Sequence, residues 1–286
     1  MSKVLRTLSM LYAKLPFSPM KKQLIWLLDF YKKIKDKNNK NNKPLVEKVN
    51  GVYFELDLNE LVDNSLYYQG CFELSTTRSI QRLVKSGWTV MDIGANVGCH
   101  TFNLAKLVGE YGKVFAFEPM LPAFRKLKRN YELNNFKNIK LEKLALSNNE
   151  GQSSSSFRTS WTMDGRDNKE NLNEVVSFTT VDSYCDKNGI NNIDFIKIDV
   201  DGFEYKVLKG AENMLRKSHP VINMELGTYT LARAGDDINR TISYLINLGY
   251  GFFNEETMEK YESTDLLISS IPENATINVV LKLNIK

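Results

Sequence analysis

Three carboxylates lie within six residues of one another, and their types and spacing suit acid–base chemistry. Asp199 follows the apolar run FIKI, and Asp201 and Glu204 come next, at the start of a predicted helix. A carboxylate whose pKa is raised by burial can take a proton from a weakly acidic hydroxyl. Asp201 and Glu204 could equally be ordinary helix caps. The pattern predicts a group of candidate bases, with Asp199 or Asp201 nearest the acceptor.

Three more residues belong to the same predicted catalytic group. Lys197, inside the apolar run, could hold one of the acids or the acceptor oxygen, or form an ordinary ion pair. Glu225 ends the later run VINME and should face the same cleft in a parallel sheet. His100 is a further candidate base, although a lone histidine at a helix start is more often packed. Clustered acids can also hold a divalent cation, but no His or Asn is placed to complete such a site, so we predict no metal.

A glycine-containing loop follows an earlier buried strand, in the sequence VMDIGANVGCH. It contains Asp92, Gly94, Asn96 and Gly98, and its glycines would let a ligand lie against the backbone at the start of the next helix. Two of the three glycines of a dinucleotide fingerprint are missing, which disfavours a nicotinamide cofactor and its diphosphate.

A further carboxylate, Glu118, ends the next strand, VFAF, about twenty residues after the loop. Its two oxygens could accept both hydroxyls of a ribose. An adenosine-type cofactor without a diphosphate fits this combination, and S-adenosylmethionine has that form. Asp92 would lie near its sulfonium and amino-acid end.

Apolar runs and helical patterns alternate along most of the chain, which indicates βαβ units and a parallel sheet. The turn Asn50–Gly51 predicts a β-hairpin ahead of them. Strands are predicted at VMDIG, VFAFE, IKLEKLAL, FIKIDV, VINMEL, YGFFN and INVVLKL, and helices near 76–85, 98–108, 122–134, 203–216 and 237–247. The polar stretch from Ser147 to Val175 predicts either a partly disordered insertion or a lid containing Trp161.

Several of these motifs together resemble the FkbM family of S-adenosylmethionine-dependent methyltransferases. The resemblance rests on the Gly-x-x-Glu of Gly70 to Glu73, DIGANVG, FEP, the LALS of residues 144–147, TVDSY, IKIDVDGFEYKVLKGA, and the later pattern of Pro220 and Glu225. It covers residues 68–253. It implies an α/β fold of the class I methyltransferase type, Rossmann-like, with a mostly parallel sheet flanked by helices.

The resemblance also implies an activity and further site residues. The family transfers a methyl group to oxygen, typically a hydroxyl of a sugar or a polyketide-type product. Its cofactor-binding residues would include Asp199 and, from the matching motifs, Glu73, Pro119, Ala145 and Leu146. This sequence departs from the family pattern at Asp201, where the family has Glu, and at His100, where an aromatic residue is common.

Charge is unevenly distributed along the chain. The 38 Lys and Arg exceed the 34 Asp and Glu by four, but the first 50 residues alone carry +9, which leaves −5 for the rest. We predict a basic helical extension and linker over residues 1–43, followed by a methyltransferase domain over residues 44–286. The basic helices could simply pack on the domain, or bind an anionic membrane surface. No signal peptide or spanning segment is evident, which predicts a cytoplasmic protein, with peripheral contact at the inner membrane face if the extension binds lipid.

The sequence as a whole predicts an O-methyltransferase acting on a sugar hydroxyl of a glycan, glycolipid or related natural product. Methylation of RNA or of another small molecule stays open, although no RNA-binding motif is visible and nucleic acid is the less favoured partner. A cofactor-binding scaffold without catalysis is the third alternative.

Overall fold

A computed structural model of the chain describes residues 44–156 and 173–284. The predicted basic extension and Trp161 lie outside these residues. The described chain forms two compact units: a smaller one of residues 44–73 and 132–134, and a larger one of residues 74–131, 135–156 and 173–284.

The smaller unit contains the predicted β-hairpin and one helix. Strands β1 (Leu45–Val49) and β2 (Val52–Leu56) pair antiparallel. Asn50 and Gly51 join them with φ of 49° and 88°, the positive values that a two-residue hairpin turn requires. Helix α1 (Leu61–Gln69) follows and ends at Gly70 in the left-handed conformation. The sequence indicated the hairpin but not the helix.

The larger unit is built on a seven-stranded sheet in which six strands are parallel. The strand order is β5-β4-β3-β9-β10-β12-β11, and β12 runs antiparallel to both of its neighbours. The predicted mostly parallel sheet is therefore confirmed. The strands are β3 (Thr89–Ile93), β4 (Lys113–Phe117), β5 (Ile139–Glu142), β9 (Phe195–Ile198), β10 (Val221–Leu226), β11 (Tyr250–Asn254) and β12 (Ile277–Leu283).

Nine helices connect these strands in the described part of the larger unit. They are α2 (Leu74–Leu83), α3 (Cys99–Val108), α4 (Leu121–Glu132), α5 (Val181–Asn188), α6 (Glu204–Lys209), α7 (Glu212–Ser218), α8 (Thr228–Arg233), α9 (Ile238–Asn247) and α10 (Thr264–Ser269). The prediction of one helix over residues 203–216 is wrong. Gly210 ends α6, and its missing side chain leaves room for the Ser147 carbonyl, which a Cβ there would approach to 2.0 Å.

A second sheet of three strands occupies the region predicted to be aperiodic. It consists of β6 (Ala145–Leu146), β8 (Asn173–Thr179) and β7 (Gly151–Ser156), in that order. The predicted single strand IKLEKLAL is thus two strands in two different sheets. The prediction of an irregular stretch after Ser147 is wrong for β7 and for the start of β8.

The two faces of the large sheet differ in polarity. On one face, alternate residues such as Met91, Ile196 and Met224 belong to the apolar core, together with side chains of α5, α6, α7 and α9. On the other face, Asp92, Lys197 and Asn223 are buried. The strand register places these three side by side, because Lys197 is the partner of Asp92 on one side and of Asn223 on the other.

Candidate active site

Parallel strands bring the predicted acids to one edge of the sheet. Asp92 lies near the end of β3 and Glu225 near the end of β10, while Glu118 and Asp199 directly follow β4 and β9. In open α/β sheets, the carboxyl ends of the strands form the ligand-binding edge. The sequence prediction that these residues share one edge is consistent with this arrangement.

The glycine loop after β3 is fastened to both neighbouring strands. The Gly94 and Ala95 amides donate to the Phe117 carbonyl at 3.0 and 2.9 Å, and the Asp199 amide donates to Ile93 at 3.0 Å. Gly94 has a φ of +85°, and a Cβ there would lie 1.8 Å from the Asp199 carbonyl oxygen. The space beside Gly94 is therefore filled by the protein itself, and not by a ligand as the sequence suggested.

The second glycine of the loop has a similar structural reason. Gly98 begins α3 with a φ of +97°, and a Cβ there would collide with the Phe102 ring and with Leu127. Between the two glycines, Asn96 is also left-handed, with a φ of 48°. These glycines allow the loop to turn tightly onto the packed helices.

Glu118 ties the glycine loop to the end of β4. One of its carboxylate oxygens accepts the Asn96 amide and the other accepts the Met120 amide, both at 2.9 Å. Burial raises the pKa of Glu118 to about 7, and the backbone hydrogen bonds only partly offset that rise. Each oxygen can still accept another hydrogen bond, so the predicted contact with two ribose hydroxyls remains chemically available.

Asp92, Lys197 and Asn223 form a row of buried polar side chains on one face of the large sheet, here called the polar row. Asp92, the first of them, is completely buried. Its Oδ2 accepts the Thr101 hydroxyl of α3 at 2.5 Å, and its Oδ1 has no hydrogen-bond partner within the described residues. The carboxylate therefore fixes α3 onto β3. Its predicted position near the sulfonium of a cofactor stays a prediction.

Lys197 forms a short ion pair with Asp199. Its ammonium lies 2.9 Å from Asp199 Oδ2, and its side chain is only 2% exposed, whereas that of Asp199 is 28% exposed. A buried ammonium requires compensating negative charge, which Asp199 provides. The predicted pairing of Lys197 with one of the acids is thus present, and it leaves Asp199 at the edge of the cleft with one neutralised oxygen.

Asn223, the last residue of the polar row, belongs to a hydrogen-bonded network that the sequence did not predict. Asn223 donates to Glu255 at 3.2 Å, Glu255 accepts the Thr76 hydroxyl of α2 at 3.0 Å, and Asn278 donates to that hydroxyl at 3.1 Å. An Asn inside the apolar run VINMEL was the one signal in the sequence. The network connects α2 with three separate segments of the sheet.

Asp201 lies on a tight turn just beyond Asp199. It is exposed and left-handed, with a φ of 52°, and the Arg233 guanidinium lies 3.5 Å from its carbonyl oxygen. Desolvation and the nearby Asp199 raise the pKa of Asp201, while Arg233 opposes the rise. The next residue, Gly202, packs so closely on α8 that a Cβ would lie 2.2 Å from the Thr230 carbonyl.

Glu204 stabilises this turn by accepting hydrogen bonds from its backbone. One of its oxygens accepts the Val200 and Gly202 amides, both at 3.1 Å, and its side chain is 1% exposed. Burial raises the pKa of Glu204 to about 7. The sequence grouped Glu204 with the candidate bases, but its burial and backbone contacts match the alternative reading, in which it caps the turn.

Glu225 is half-buried at the end of β10. Its Oε1 accepts the Thr276 hydroxyl at 2.7 Å. Burial, followed by the charge of Asp199, raises the pKa of Glu225 to about 8. Glu225 therefore belongs to the same acidic edge as Asp199 and Asp201, as predicted.

The remaining predicted site residues lie in several different elements. His100 is buried in the first turn of α3, and Leu146 packs in the apolar core. Pro119 follows β4, and Ala145 is half-buried in β6. Glu73, with a φ of 50°, belongs to the smaller unit. Their roles toward a cofactor or substrate stay predictions. Within residues 44–156 and 173–284, no group of three His, Cys, Asp or Glu could hold a metal ion.

The order of the sheet and the chemistry of its edge define the class of the protein. The core is a parallel sheet in which the antiparallel strand β12 lies between β10 and β11, and a glycine loop follows β3. Class I methyltransferases have this arrangement. A family model described as the methyltransferase FkbM domain matches residues 92–252, which is more than half of the chain. The chain belongs to the FkbM family of S-adenosylmethionine-dependent methyltransferases, as its motifs predicted.

Solved structures of methyltransferases resemble the chain at low sequence identity. The methyltransferase FkbM of Methylobacillus flagellatus is 15% identical over 98% of this chain and 58% of its own length, with a TM-score of 0.46. Fibrillarin of Aeropyrum pernix, solved with bound S-adenosyl-L-methionine, is 11% identical over 70% of this chain and 68% of its own, with a TM-score of 0.42. An rRNA methylase of Streptococcus thermophilus is 13% identical over 73% of this chain and 95% of its own length, with a TM-score of 0.42.

Three further findings concern coverage, curated relatives and membrane-spanning helices. The chain spans little more than half the length of the Methylobacillus protein. No curated protein matches the sequence. Among the described helices, none is both long enough and apolar enough to span a membrane.

Proposed function

We propose that this methyltransferase transfers a methyl group to a hydroxyl of a sugar, in a glycan, a glycolipid or a related natural product. The observation that carries the proposal is the acidic edge formed by Asp199, Asp201 and Glu225, with the Asp201 side chain exposed. Carboxylates accept hydrogen bonds from hydroxyl groups, and they repel the phosphates of a nucleic acid. This edge therefore favours a neutral polyhydroxylated acceptor over RNA.

The residues at the edge fit S-adenosylmethionine. Glu118, with two oxygens able to accept further hydrogen bonds, would hold the ribose, and the backbone of the glycine loop would hold the amino-acid portion. The charges are also complementary, because the cofactor carries a positive sulfonium and the edge carries more carboxylates than cations. Lys197, a buried cation of this edge, is already paired with Asp199. When bound, S-adenosylmethionine supplies an electrophilic methyl group, whose transfer to a hydroxyl oxygen breaks the sulfur–methyl bond and leaves the electron pair on sulfur.

The acceptor hydroxyl must lose its proton to a group of this chain as the new bond forms. We assign that role to Asp201. Residue 201 is exposed at the edge, while partial desolvation of its carboxylate and the nearby charge of Asp199 raise its pKa and make it a stronger base than an ordinary aspartate.

The other acids are less suited to take the proton. Asp199 is partly neutralised by Lys197, and Glu204 is buried beneath the turn. Glu225 already accepts the Thr276 hydroxyl, and the raised pKa leaves part of its population protonated near neutral pH. Asp199 and Lys197 instead fix the acidic edge against which the acceptor is aligned, and alignment supplies much of the rate of an in-line displacement.

The proposal is tested with the Asp201→Asn and Asp201→Glu variants. Asn tolerates the left-handed backbone of residue 201, so D201N should fold and bind S-adenosylhomocysteine like the wild type. Removing the base should slow transfer about a hundredfold or more. D201E restores the acid that the family pattern has at this position and should recover most of the rate.

The assay measures transfer of a labelled methyl group to a saccharide and lipid-linked saccharide extract from cells that lack the protein. Mass spectrometry then locates the added methyl group. Full activity of D201N would contradict the assignment of the base. Total RNA from the same cells is offered in a parallel assay, and transfer of the label to RNA but not to the saccharide extract would contradict the proposed acceptor. Binding of S-adenosylhomocysteine without any transfer would favour a non-catalytic scaffold.

A further inference from the structure

Two exposed aromatic rings lie next to the acidic edge. Phe203 follows the turn after β9 and is 37% exposed, and Tyr229 is in the first turn of α8, after β10, and is 38% exposed. A single exposed apolar residue is common on protein surfaces and needs no explanation. These two are distinguished by their position, because each follows a strand that supplies a carboxylate of the candidate active site.

The segment that carries Phe203 is held firmly against α8. A Cβ at Gly202 would lie 2.2 Å from the Thr230 carbonyl, so the turn and the first part of α8 are in direct contact. The Lys206 ammonium lies 4.6 Å from the centre of the Phe203 ring and donates to the Ala234 carbonyl, at the end of α8, at 2.7 Å. The two rings therefore sit on elements that are fixed to one another.

The beginning of α8 is also fixed to the acidic edge. Gly227, two residues before Tyr229, would place a Cβ 2.6 Å from the Thr276 methyl group, and the Thr276 hydroxyl donates to Glu225 at 2.7 Å. On the other side, Arg233 of α8 lies 3.5 Å from the carbonyl oxygen of Asp201. Tyr229 and Phe203 thus border the turn that carries the proposed base.

Resting on the proposed function, we infer that Phe203 and Tyr229 form the acceptor subsite, and that they receive the apolar face of a saccharide ring whose hydroxyls are held by the neighbouring carboxylates. One face of a sugar ring presents C–H groups of partial positive charge, which pack on the negative face of an aromatic ring. Its equatorial hydroxyls point outward, where carboxylates can accept their hydrogen bonds. Stacked rings beside acidic acceptors combine both kinds of contact.

A nucleobase could also stack on these rings. Its sugar–phosphate backbone, however, would have to approach the carboxylate of Asp201, and like charges at close range oppose binding. The acidic edge is therefore the reason to assign the rings to a neutral saccharide and not to RNA.

The test uses the full chain saturated with S-adenosylhomocysteine and four methyl glycosides: methyl α-glucopyranoside, α-mannopyranoside, α-rhamnopyranoside and β-galactopyranoside. NMR titration gives the affinity of each for the wild type and for the Phe203→Leu and Tyr229→Leu variants. At least one glycoside should bind the wild type, and each substitution should weaken it about five- to tenfold. Phe203→Tyr and Tyr229→Phe keep the ring faces and should retain most of the affinity.

Tyr111→Leu is the matched control. Tyr111 is 87% exposed, but it precedes β4 and so lies toward the opposite edge of the sheet. Its substitution should change neither glycoside nor S-adenosylhomocysteine affinity. The Leu variants should likewise keep the wild-type affinity for S-adenosylhomocysteine and the wild-type melting temperature.

The outcomes separate this inference from the proposed function. Failure of the wild type to bind S-adenosylhomocysteine would overturn the proposed function itself. Binding of the cofactor product together with unchanged glycoside affinity in both Leu variants would overturn the subsite. Binding of no glycoside, or ring-dependent binding of an oligouridylate in its place, would overturn the saccharide assignment.

Discussion

At the scale of single residues, the acids of this edge divide by environment into different roles. Glu204 is the clearest example, because both backbone amides it accepts belong to the turn that carries Asp201. Its side chain lies under the turn, so its proposed contribution is to hold Asp201, the proposed base, in place. Spacing alone could not separate it from Asp199 and Asp201, since burial is decided by the packing of α6.

The raised pKa of Glu204 predicts a specific dependence of stability on pH. Its folded-state pKa of about 7 lies above the ordinary value of 4.5, so the folded protein binds this proton more tightly than the unfolded chain. The contribution of Glu204 to stability is then fully present below about pH 5 and is lost as the pH rises towards about 7. Glu204→Gln should flatten the curve by up to about 1.4 kcal/mol per pH unit in that range.

Urea unfolding of wild type and E204Q at several pH values across that range provides the measurement. Glu118 and Glu225 also have raised pKa values and should leave a residual slope in the variant. Glu212→Gln is the control, because Lys209 and Arg216 lower the pKa of Glu212 to about 2 and it stays ionised throughout. Parallel curves for wild type and E204Q would show that Glu204 ionises normally.

At the scale of elements, the glycine loop connects three strands by contacts that leave no room for a side chain. Gly94 combines a φ of +85° with a close approach to the Asp199 carbonyl. Because the obstacle is backbone at the end of β9, it cannot rotate away as a flexible side chain could.

Gly94→Ala should therefore destabilise the protein by about 3 kcal/mol, as the sum of left-handed strain and displacement of β9. Gly87→Ala is a matched control, since Gly87 has a φ of +82° but open space around its Cβ position. It should cost only about 1 kcal/mol. Urea unfolding of both variants measures the difference, and equal losses would mean that the contact with Asp199 contributes nothing.

Much of the element order could be predicted, because the strands β3, β4, β9 and β10 are short apolar runs between helical patterns. The run GQSSSS of β7 has no apolar alternation, and it is a strand only because it pairs with β8 from Gly151 to Ser156. The short helices α8 and α10 gave no periodic signal, since six residues hold fewer than two turns.

The candidate site was predictable to a similar degree. Carboxylates at strand ends can be recognised in the sequence, because acids interrupt apolar runs at Glu118, Asp199 and Glu225. The network from Thr76 to Glu255 and Asn278 could not be foreseen, since its hydrogen bonds join residues 179 and 202 positions apart. Such contacts depend on the closed fold and leave no local pattern.

At the scale of the whole molecule, charge is divided between the basic first 50 residues and an acidic remainder of −5. The acidic part contains the cleft proposed to bind a cationic cofactor. We propose that the basic part brings the enzyme to an anionic membrane that carries lipid-linked saccharides.

Deletion of residues 1–43 should then abolish co-sedimentation with vesicles that contain phosphatidylglycerol. The full chain should bind those vesicles less at high salt and should not bind vesicles of phosphatidylcholine alone, because the attraction is electrostatic. Calorimetry should give the same affinity for S-adenosylhomocysteine with and without the deletion. Undiminished vesicle binding by the shortened chain would contradict the proposed role.

The three-stranded sheet has a consequence for how this chain can change during evolution. Strands β6 and β8 are parallel neighbours, and the Ser147 amide donates to the Thr179 carbonyl at 2.9 Å, so the chain departs from and returns to the core at one place. An insertion or deletion between those points can therefore be accommodated without shifting the strands that precede Glu118 and Asp199.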